Sequence, residues 1–182
     1  EEFSRYVNCD VIGWEYAGYG KHKELDDFQP SEENVYRDAL DIFALAQIIS
    51  EDKKVPIFIY GRSLGSAPTI YTAAKKSSKI TGMIVESGFL SITRVVSNAL
   101  HNLYDLFDNE HFLRLQNSVP TLFIHGKQDT VVPFCHSVQL YNKCLAKKEC
   151  FWLERGTHNN IDYEYRGEVF FRIQSFIETN IS

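Results

Sequence analysis

The sequence has no apolar segment of the length that crosses a membrane. Its longest apolar runs are Val55 to Tyr60 and Gly82 to Val85, far short of the roughly 20 residues that a spanning helix needs. The first residues, Glu1 to Arg5, lack the basic and apolar regions of a secretory signal. With 44% hydrophobic and 24% charged residues over 182 positions, the composition predicts a single globular domain, residues 1–182.

The sequence also lacks an excess of basic residues and any paired-cysteine motif. A net charge of −5 argues against the basic surface that nucleic acids require, so no nucleic-acid partner is expected. The cysteines Cys9, Cys135, Cys144 and Cys150 show no C-x-x-C spacing, which predicts free thiols in a reducing, cytoplasmic compartment. His136 stands beside Cys135, but no second close pair completes a tetrahedral site, so neither a metal nor another cofactor is expected.

Short β-rich runs alternate with longer stretches of helical period, which predicts an α/β protein with a mostly parallel sheet and helices on both faces. Strands are expected at Cys9 to Tyr16, Val55 to Tyr60, Ile80 to Glu86, Thr121 to His125 and Lys148 to Leu153. The fully apolar run Val55 to Tyr60 is typical of a strand at the centre of a parallel sheet. Amphipathic helices are expected after Ser31, from Leu64 to about Lys75, and around the apolar stripe Val169, Phe170, Ile173, Phe176 and Ile177.

The segment between Gly88 and Ser118 is rich in apolar residues without one clean period. Residues 88–118 are therefore predicted to form a helical cap inserted into the domain. One or two helices that pack into the core would explain the same pattern equally well.

The motif Gly61-Arg62-Ser63-Leu64-Gly65 has the form G-x-S-x-G and stands between an apolar strand and a small-residue helix. Small residues two positions on either side permit the sharp turn that lifts a serine hydroxyl above the sheet edge. Ser63 is therefore the candidate nucleophile, with Gly61 and Gly65 as the glycines of the turn. The N–H of Leu64 and the start of the following helix would face a developing oxyanion.

A serine hydroxyl needs an imidazole to accept its proton and a carboxylate to orient that imidazole. Asp129 follows the strand Thr121 to His125, and His158 follows the last predicted strand. Both therefore belong at the sheet edge where Ser63 is expected, and they are the predicted acid and base. Asp129 could also be a plain turn residue and His158 a solvated loop histidine. His125 is the rival base, but its place at the base of the loop argues against it, and the remaining histidines are expected at the surface or in the cap.

These segments resemble the alpha/beta-hydrolase family, and within it the branch of protein depalmitoylases. The resemblance rests on five segments: Trp14 to Gly20, Pro30 to Tyr36, Gly61 to Ser66, Phe123 to Pro133 and Gly156 to Ile161. The order Ser, Asp, His along the chain is also that of the family. The resemblance implies hydrolysis of an ester or thioester through an acyl-enzyme, with an S-acyl protein or another lipid acyl group as the substrate class.

One family feature is missing. The second oxyanion donor of the family comes from a loop after the third sheet strand, and nothing before Cys9 can supply it. The resemblance therefore predicts that the N-terminal strands of the fold lie outside this sequence, together with any cysteine-rich segment for peripheral membrane association. Two other functions fit the same motifs: a serine peptidase of this fold, and a scaffold protein that no longer turns over substrate.

Overall fold

The computed structural model describes residues 1–19, 30–96 and 105–181. In these ranges the chain forms seven α-helices and four β-strands. In chain order they are α1 (Glu2–Val7), α2 (Glu32–Lys53), β1 (Phe58–Arg62), α3 (Ser66–Lys76), β2 (Gly82–Glu86), α4 (Ile92–Val96), α5 (Asn109–Leu115), β3 (Thr121–Gly126), α6 (Cys135–Lys143), β4 (Lys148–Leu153) and α7 (Arg166–Ile181). Across the described ranges, none of these helices combines the length and the apolarity that a membrane span requires.

The four strands form one parallel sheet in the order β1-β2-β3-β4. Arg62, the last residue of β1, pairs in register with Glu86, the last residue of β2. The carboxyl ends of all four strands therefore lie along one edge, and the loops that follow them meet there. This edge is where ligands bind in open parallel sheets.

Four of the five predicted strands are confirmed, with shifted ends at three of them. The strand predicted at Val55 to Tyr60 begins later and ends later, at Phe58–Arg62. Its predicted place at the sheet centre is wrong, because β1 pairs only with β2 in the described sheet and most of its residues are partly exposed. The last strand, Lys148–Leu153, has the predicted bounds.

The strand predicted at Cys9 to Tyr16 is wrong. In the structure this segment forms no strand, and residues 10, 11 and 12 are exposed. The apolar pattern suits a strand, but a strand also needs a neighbour for its N–H and C=O groups. No other described strand pairs with this segment, and so it forms a loop.

Successive side chains along the strands point to opposite faces of the sheet, where they contribute to two apolar cores. Met83, Val85 and Phe123 pack with Ile70 of α3 and Leu140 of α6 on one face. On the other face a second core joins the sheet to α1 and α7, as the predicted stripe on α7 requires; its fully buried members include Leu122, Ile124, Ile161 and Ile173. Helices therefore cover both faces, as expected for the α/β class.

Helix α2 confirms the amphipathic helix predicted after Ser31. The Ser31 hydroxyl accepts a hydrogen bond from the Asn34 amide, which caps the first turn. Helix α6 has no counterpart among the predicted elements, nor has α1. Both are short, and a short helix gives few repeats of the 3.6-residue period on which such a prediction depends.

The region predicted as a cap, residues 88–118, contains α4 and α5, and its middle, residues 97–104, lies outside the described residues. Phe89, Leu90 and Leu113 are buried, the last two of them in the core that contains Phe123. Arg94 of α4 is joined to Asp105 and Glu110 by ion pairs, which are described below. Whether the region acts as a cap stays a prediction.

Candidate active site

Ser63 lies in a tight turn between β1 and α3. Its φ of 52° is in the left-handed region, which costs a non-glycine residue on the order of 1 kcal/mol or more. A Cβ on Gly61 would lie 2.1 Å from the Gly65 carbonyl oxygen and 2.3 Å from the Thr69 hydroxyl oxygen, so only glycine fits. On Gly65 the nearest atom would be Tyr16 Oη at 3.6 Å, an ordinary contact. The close approach that shapes the turn is therefore at Gly61.

The structure brings Ser63, His158 and Asp129 together. His158 Nε2 lies 3.1 Å from Ser63 Oγ, and His158 Nδ1 lies 2.7 Å from Asp129 Oδ2. The three residues come from the ends of β1, β3 and β4, at the same sheet edge. The His158 side chain is 12% exposed and that of Asp129 fully buried. This is the arrangement in which a carboxylate orients an imidazole toward a serine hydroxyl.

The Asp129 carboxylate is held by donors on both oxygens. Oδ1 accepts hydrogen bonds from the amides of Val131 and Val132, at 2.9 and 2.8 Å. Burial raises the pKa of Asp129, but the hydrogen bonds from His125, His158 and the Val132 amide outweigh burial and hold the pKa far below its ordinary value. Asp129 is therefore ionised across the neutral pH range.

A network centred on Asn160 shapes the loop that carries His158. The Asn160 side-chain oxygen accepts a hydrogen bond from the Thr157 amide at 2.6 Å, and the Thr157 hydroxyl accepts one from the Asn160 amide at 3.2 Å. The side-chain nitrogen of Asn160, Nδ2, donates to Arg155 O and to Glu164 Oε2. Asn160 is 8% exposed, so these bonds are largely shielded from water and fix the turn.

The acid loop, which carries Asp129 after β3, and the base loop, which carries His158 after β4, are in contact through their backbones. A Cβ on Gly126, at the end of β3, would lie 2.3 Å from the Gly156 backbone. The Gln128 amide donates to Gly156 O at 2.9 Å, and the Lys127 amide to Leu153 O at 2.8 Å. These contacts place Asp129 and His158 side by side.

Leu64 occupies the middle of a 3-10 turn, Ser63–Gly65, that continues directly into α3. The partial positive charge of the helix start therefore lies on the side of Ser63. The role of the Leu64 N–H as an oxyanion donor stays a prediction.

The histidines outside this constellation have other surroundings. His125 is fully buried at the base of the acid loop, as expected, and His111 is exposed. His136 was expected at the surface or in the cap, but it is buried in α6, where its Nδ1 accepts a hydrogen bond from the Leu90 amide. His22 and His101 lie outside the described residues. In residues 1–19, 30–96 and 105–181 there is no group of three or more metal-ligating side chains.

Sequence reasoning missed three residues that contact this site. Asn160 carried a signal, because asparagine two positions after His158 is typical of a side chain that bonds its own turn. The sequence places His125 at the base of the loop without predicting a contact with Asp129, yet its Nε2 lies 3.3 Å from Asp129 Oδ2. Arg62 gave no signal, because its partners depend on which strand lies beside β1.

The chain is similar to known proteins over most of its length. A family model described as "Serine aminopeptidase, S33" matches residues 7–109. The chain is 31% identical to alpha/beta hydrolase domain-containing protein aho-3 of Caenorhabditis elegans and 29% identical to alpha/beta hydrolase domain-containing protein 17B of Homo sapiens, covering 97% and 96% of this chain. It spans 51% and 58% of the length of those relatives.

Among solved structures, an esterase of Pyrococcus furiosus superposes with a TM-score of 0.66 over 80% of this chain and 62% of the esterase. At 15% identity this likeness concerns the fold alone. The matched family model extends over more than half of the chain, and the parallel sheet agrees with it. The chain belongs to the alpha/beta hydrolase family, and it is similar in sequence to the alpha/beta hydrolase domain-containing proteins of that family.

Proposed function

We propose that this chain carries the catalytic site of a serine hydrolase that cleaves an acyl ester or thioester through an acyl-enzyme. The observation that carries the proposal is the unbroken contact from Asp129 to His158 to Ser63, with distances of 2.7 and 3.1 Å. Ser63 stands on a strained turn in front of α3. Strain at a nucleophile of this kind is typical of a catalytic turn.

The proposed steps are consistent with this geometry. Asp129 Oδ2 accepts the Nδ1–H of His158, which leaves Nε2 free to accept the proton of Ser63 Oγ as the oxygen attacks the substrate carbonyl. The N–H of Leu64 and the positive end of α3 stabilise the oxyanion. His158 then gives the proton to the leaving alkoxide or thiolate. A water molecule attacks the acyl-enzyme with His158 as base, and the acid is released.

An acyl substrate is supported by the apolar surroundings of Ser63. Leu64, which follows the nucleophile, is only partly buried and packs with a cluster that includes Phe89 and Val132. Phe89 follows β2 and Val132 follows Asp129, so this cluster reaches the edge of the sheet where the carbonyl would lie. Ile92 and Val95 of α4 pack against the same cluster. Apolar side chains so placed favour an alkyl chain over a charged group.

The substrate class that we propose is an S-acyl protein or another lipid acyl group, acted on in the cytoplasm at a membrane surface. A peptidase is the second candidate, because the matching family model carries the description of a serine aminopeptidase. The two candidates differ in the leaving group, and chromogenic substrates separate them.

The test is labelling of the full-length protein with a fluorophosphonate probe, which reacts with activated serines. We expect wild-type protein to label, and Ser63→Ala and His158→Ala to lose labelling. Ser175→Ala is the matched control, because Ser175 is a partly exposed serine of α7 whose hydroxyl donates a hydrogen bond to the Phe171 carbonyl of the same helix. It should label like wild type.

A chain-length series of p-nitrophenyl esters, run beside aminoacyl p-nitroanilides, then identifies the substrate class. Turnover that peaks at medium or long acyl chains supports the acyl hydrolase. Faster turnover of the anilides supports the peptidase. A folded wild-type protein that does not label, or a Ser63→Ala variant that keeps wild-type turnover, contradicts the proposal and favours a scaffold role.

A further inference from the structure

The side chain of Arg62 joins three segments at the edge of the sheet. Arg62 is the residue directly before Ser63, and its Nη2 donates a hydrogen bond to the main-chain carbonyl of His158. Its Nη1 lies 2.8 Å from Asp162 Oδ2, in the short helical turn after the His158 loop. Its Nε lies 3.2 Å from Glu86 Oε1, at the end of the neighbouring strand.

Glu86 fixes the guanidinium from the sheet side. Its side chain is 1% exposed, whereas that of Arg62 is 29% exposed. Glu86 Oε2 accepts a hydrogen bond from the Tyr60 hydroxyl at 2.7 Å, and Oε1 faces Arg62 Nε without the alignment of a hydrogen bond. Burial raises the pKa of Glu86, while the Tyr60 hydrogen bond and the charge of Arg62 oppose that rise. The attraction between Arg62 and Glu86 is therefore electrostatic.

The position of this side chain suggests its role. The backbone of Arg62 leads into the nucleophile turn, and its guanidinium holds the backbone of the residue that bears the base. Because residues 62 and 158 are 96 positions apart, their separation depends on tertiary contacts. A displacement of about 1 Å between reacting groups costs on the order of 100-fold in rate.

We propose that Arg62 is a positioning residue that ties the His158 loop to the nucleophile strand and so fixes the distance from His158 Nε2 to Ser63 Oγ. This role rests on the proposed hydrolase function. Arginine suits it because its planar guanidinium presents several donors in fixed directions, whereas a lysine ammonium is a compact charge that serves one partner well. Arg62→Lys should therefore preserve the charge beside Glu86 but lose part of the contacts with the His158 carbonyl and Asp162.

The experiment measures fluorophosphonate labelling rates, ester kcat and KM, and thermal unfolding of the full-length protein for wild type, Arg62→Gln and Arg62→Lys. The double variant Arg62→Gln/Glu86→Gln is added, since Arg62→Gln leaves Glu86 buried beside an uncharged neighbour. Arg172→Gln is the matched control. It removes a similarly exposed arginine of α7, which pairs with Glu149 of β4 at 2.7 Å.

We expect Arg62→Gln and the double variant to lose roughly 10- to 100-fold in kcat and in labelling rate, with KM for a short ester changed by less than about twofold. Arg62→Lys should recover part of this loss, and Arg172→Gln should match wild type. A positioning role is overturned if wild type labels and Arg62→Gln labels at the same rate. It is also overturned if Arg172→Gln shows the same drop in Tm and the same loss of kcat and labelling rate as Arg62→Gln. Wild-type protein that does not label overturns the hydrolase function itself, and the positioning role with it.

Discussion

His125 Nε2 lies 3.3 Å from Asp129 Oδ2, the same carboxylate oxygen that His158 Nδ1 contacts at 2.7 Å. His125 Nε2 is also 3.0 Å from the Val132 carbonyl oxygen. Since a carbonyl only accepts, Nε2 carries a hydrogen and the ring donates toward the loop and Asp129. His125 Nδ1 lies 2.6 Å from the Ser137 hydroxyl. Asp129 therefore contacts a second histidine, His125, which is fully buried.

This contact predicts different outcomes for two substitutions of His125. Glutamine can place its amide nitrogen near the position of Nε2 and keep a donor for Asp129, whereas leucine cannot. We expect His125→Leu to lower ester kcat by about 10-fold or more and to destabilise the fold by about 1–3 kcal/mol, because it leaves the Val132 carbonyl unpaired. His125→Gln should retain most of the activity. Ester kinetics and urea unfolding measure both effects, and equal kcat values for the two variants would contradict the support that we assign to His125.

The two glycines of the nucleophile turn should respond differently to alanine. Gly61→Ala would place Cβ 2.1 Å from a backbone oxygen, so we expect loss of fluorophosphonate labelling and of folded yield. Gly65 has a φ of −60° and only the Tyr16 hydroxyl at 3.6 Å. We therefore expect Gly65→Ala to fold and to label within a few-fold of wild type. Labelling and thermal unfolding of both variants check this, and a Gly65→Ala variant as damaged as Gly61→Ala would disagree with the geometry.

A cluster of ion pairs around Glu110 holds α4, α5 and α6 together. Its carboxylate contacts Arg94 and Lys143 at 2.5 Å and Arg114 at 2.8 Å. Arg94 also pairs with Asp105 at 2.5 Å. Burial raises the pKa of Glu110, but the hydrogen bonds and charges of Lys143 and Arg94 prevail and lower it from 4.5 to about 2. The charged form of Glu110 is thus favoured by the folded state.

This shift predicts how the contribution of Glu110 depends on pH. A depressed pKa gives stability that is complete above about 4.5 and is lost as the pH falls toward 2. At pH 7 we expect Glu110→Gln to lower the free energy of unfolding by about 1–2 kcal/mol, and the difference from wild type should shrink below pH 4.5. Urea unfolding at several pH values measures it. The control Glu154→Gln removes an exposed pair with Lys127 and should show little difference at any pH; an undiminished Glu110→Gln difference at pH 3 would refute the linkage.

Much of this protein can be deduced from local sequence. The G-x-S-x-G motif is recognisable because it stands between an apolar strand and a helix. Both of these elements can be predicted from short-range periodicity. Asp129 and His158 are identifiable because each follows a strand, and parallel strands end at one edge. The last strand, Lys148–Leu153, and the stripe of α7 are likewise present in the residue pattern.

Tertiary structure decided what depends on neighbours. Cys9 to Tyr16 has the composition of a strand but forms none, since a strand exists only where another chain segment accepts its backbone hydrogen bonds. The register that sets Arg62 beside Glu86, and the turn that brings His125 to Asp129, arise from packing between segments far apart in the sequence or from loop geometry. Sequence periodicity determined which residues face the core and which face the sheet edge, and only the folded chain determined which side chains at that edge meet.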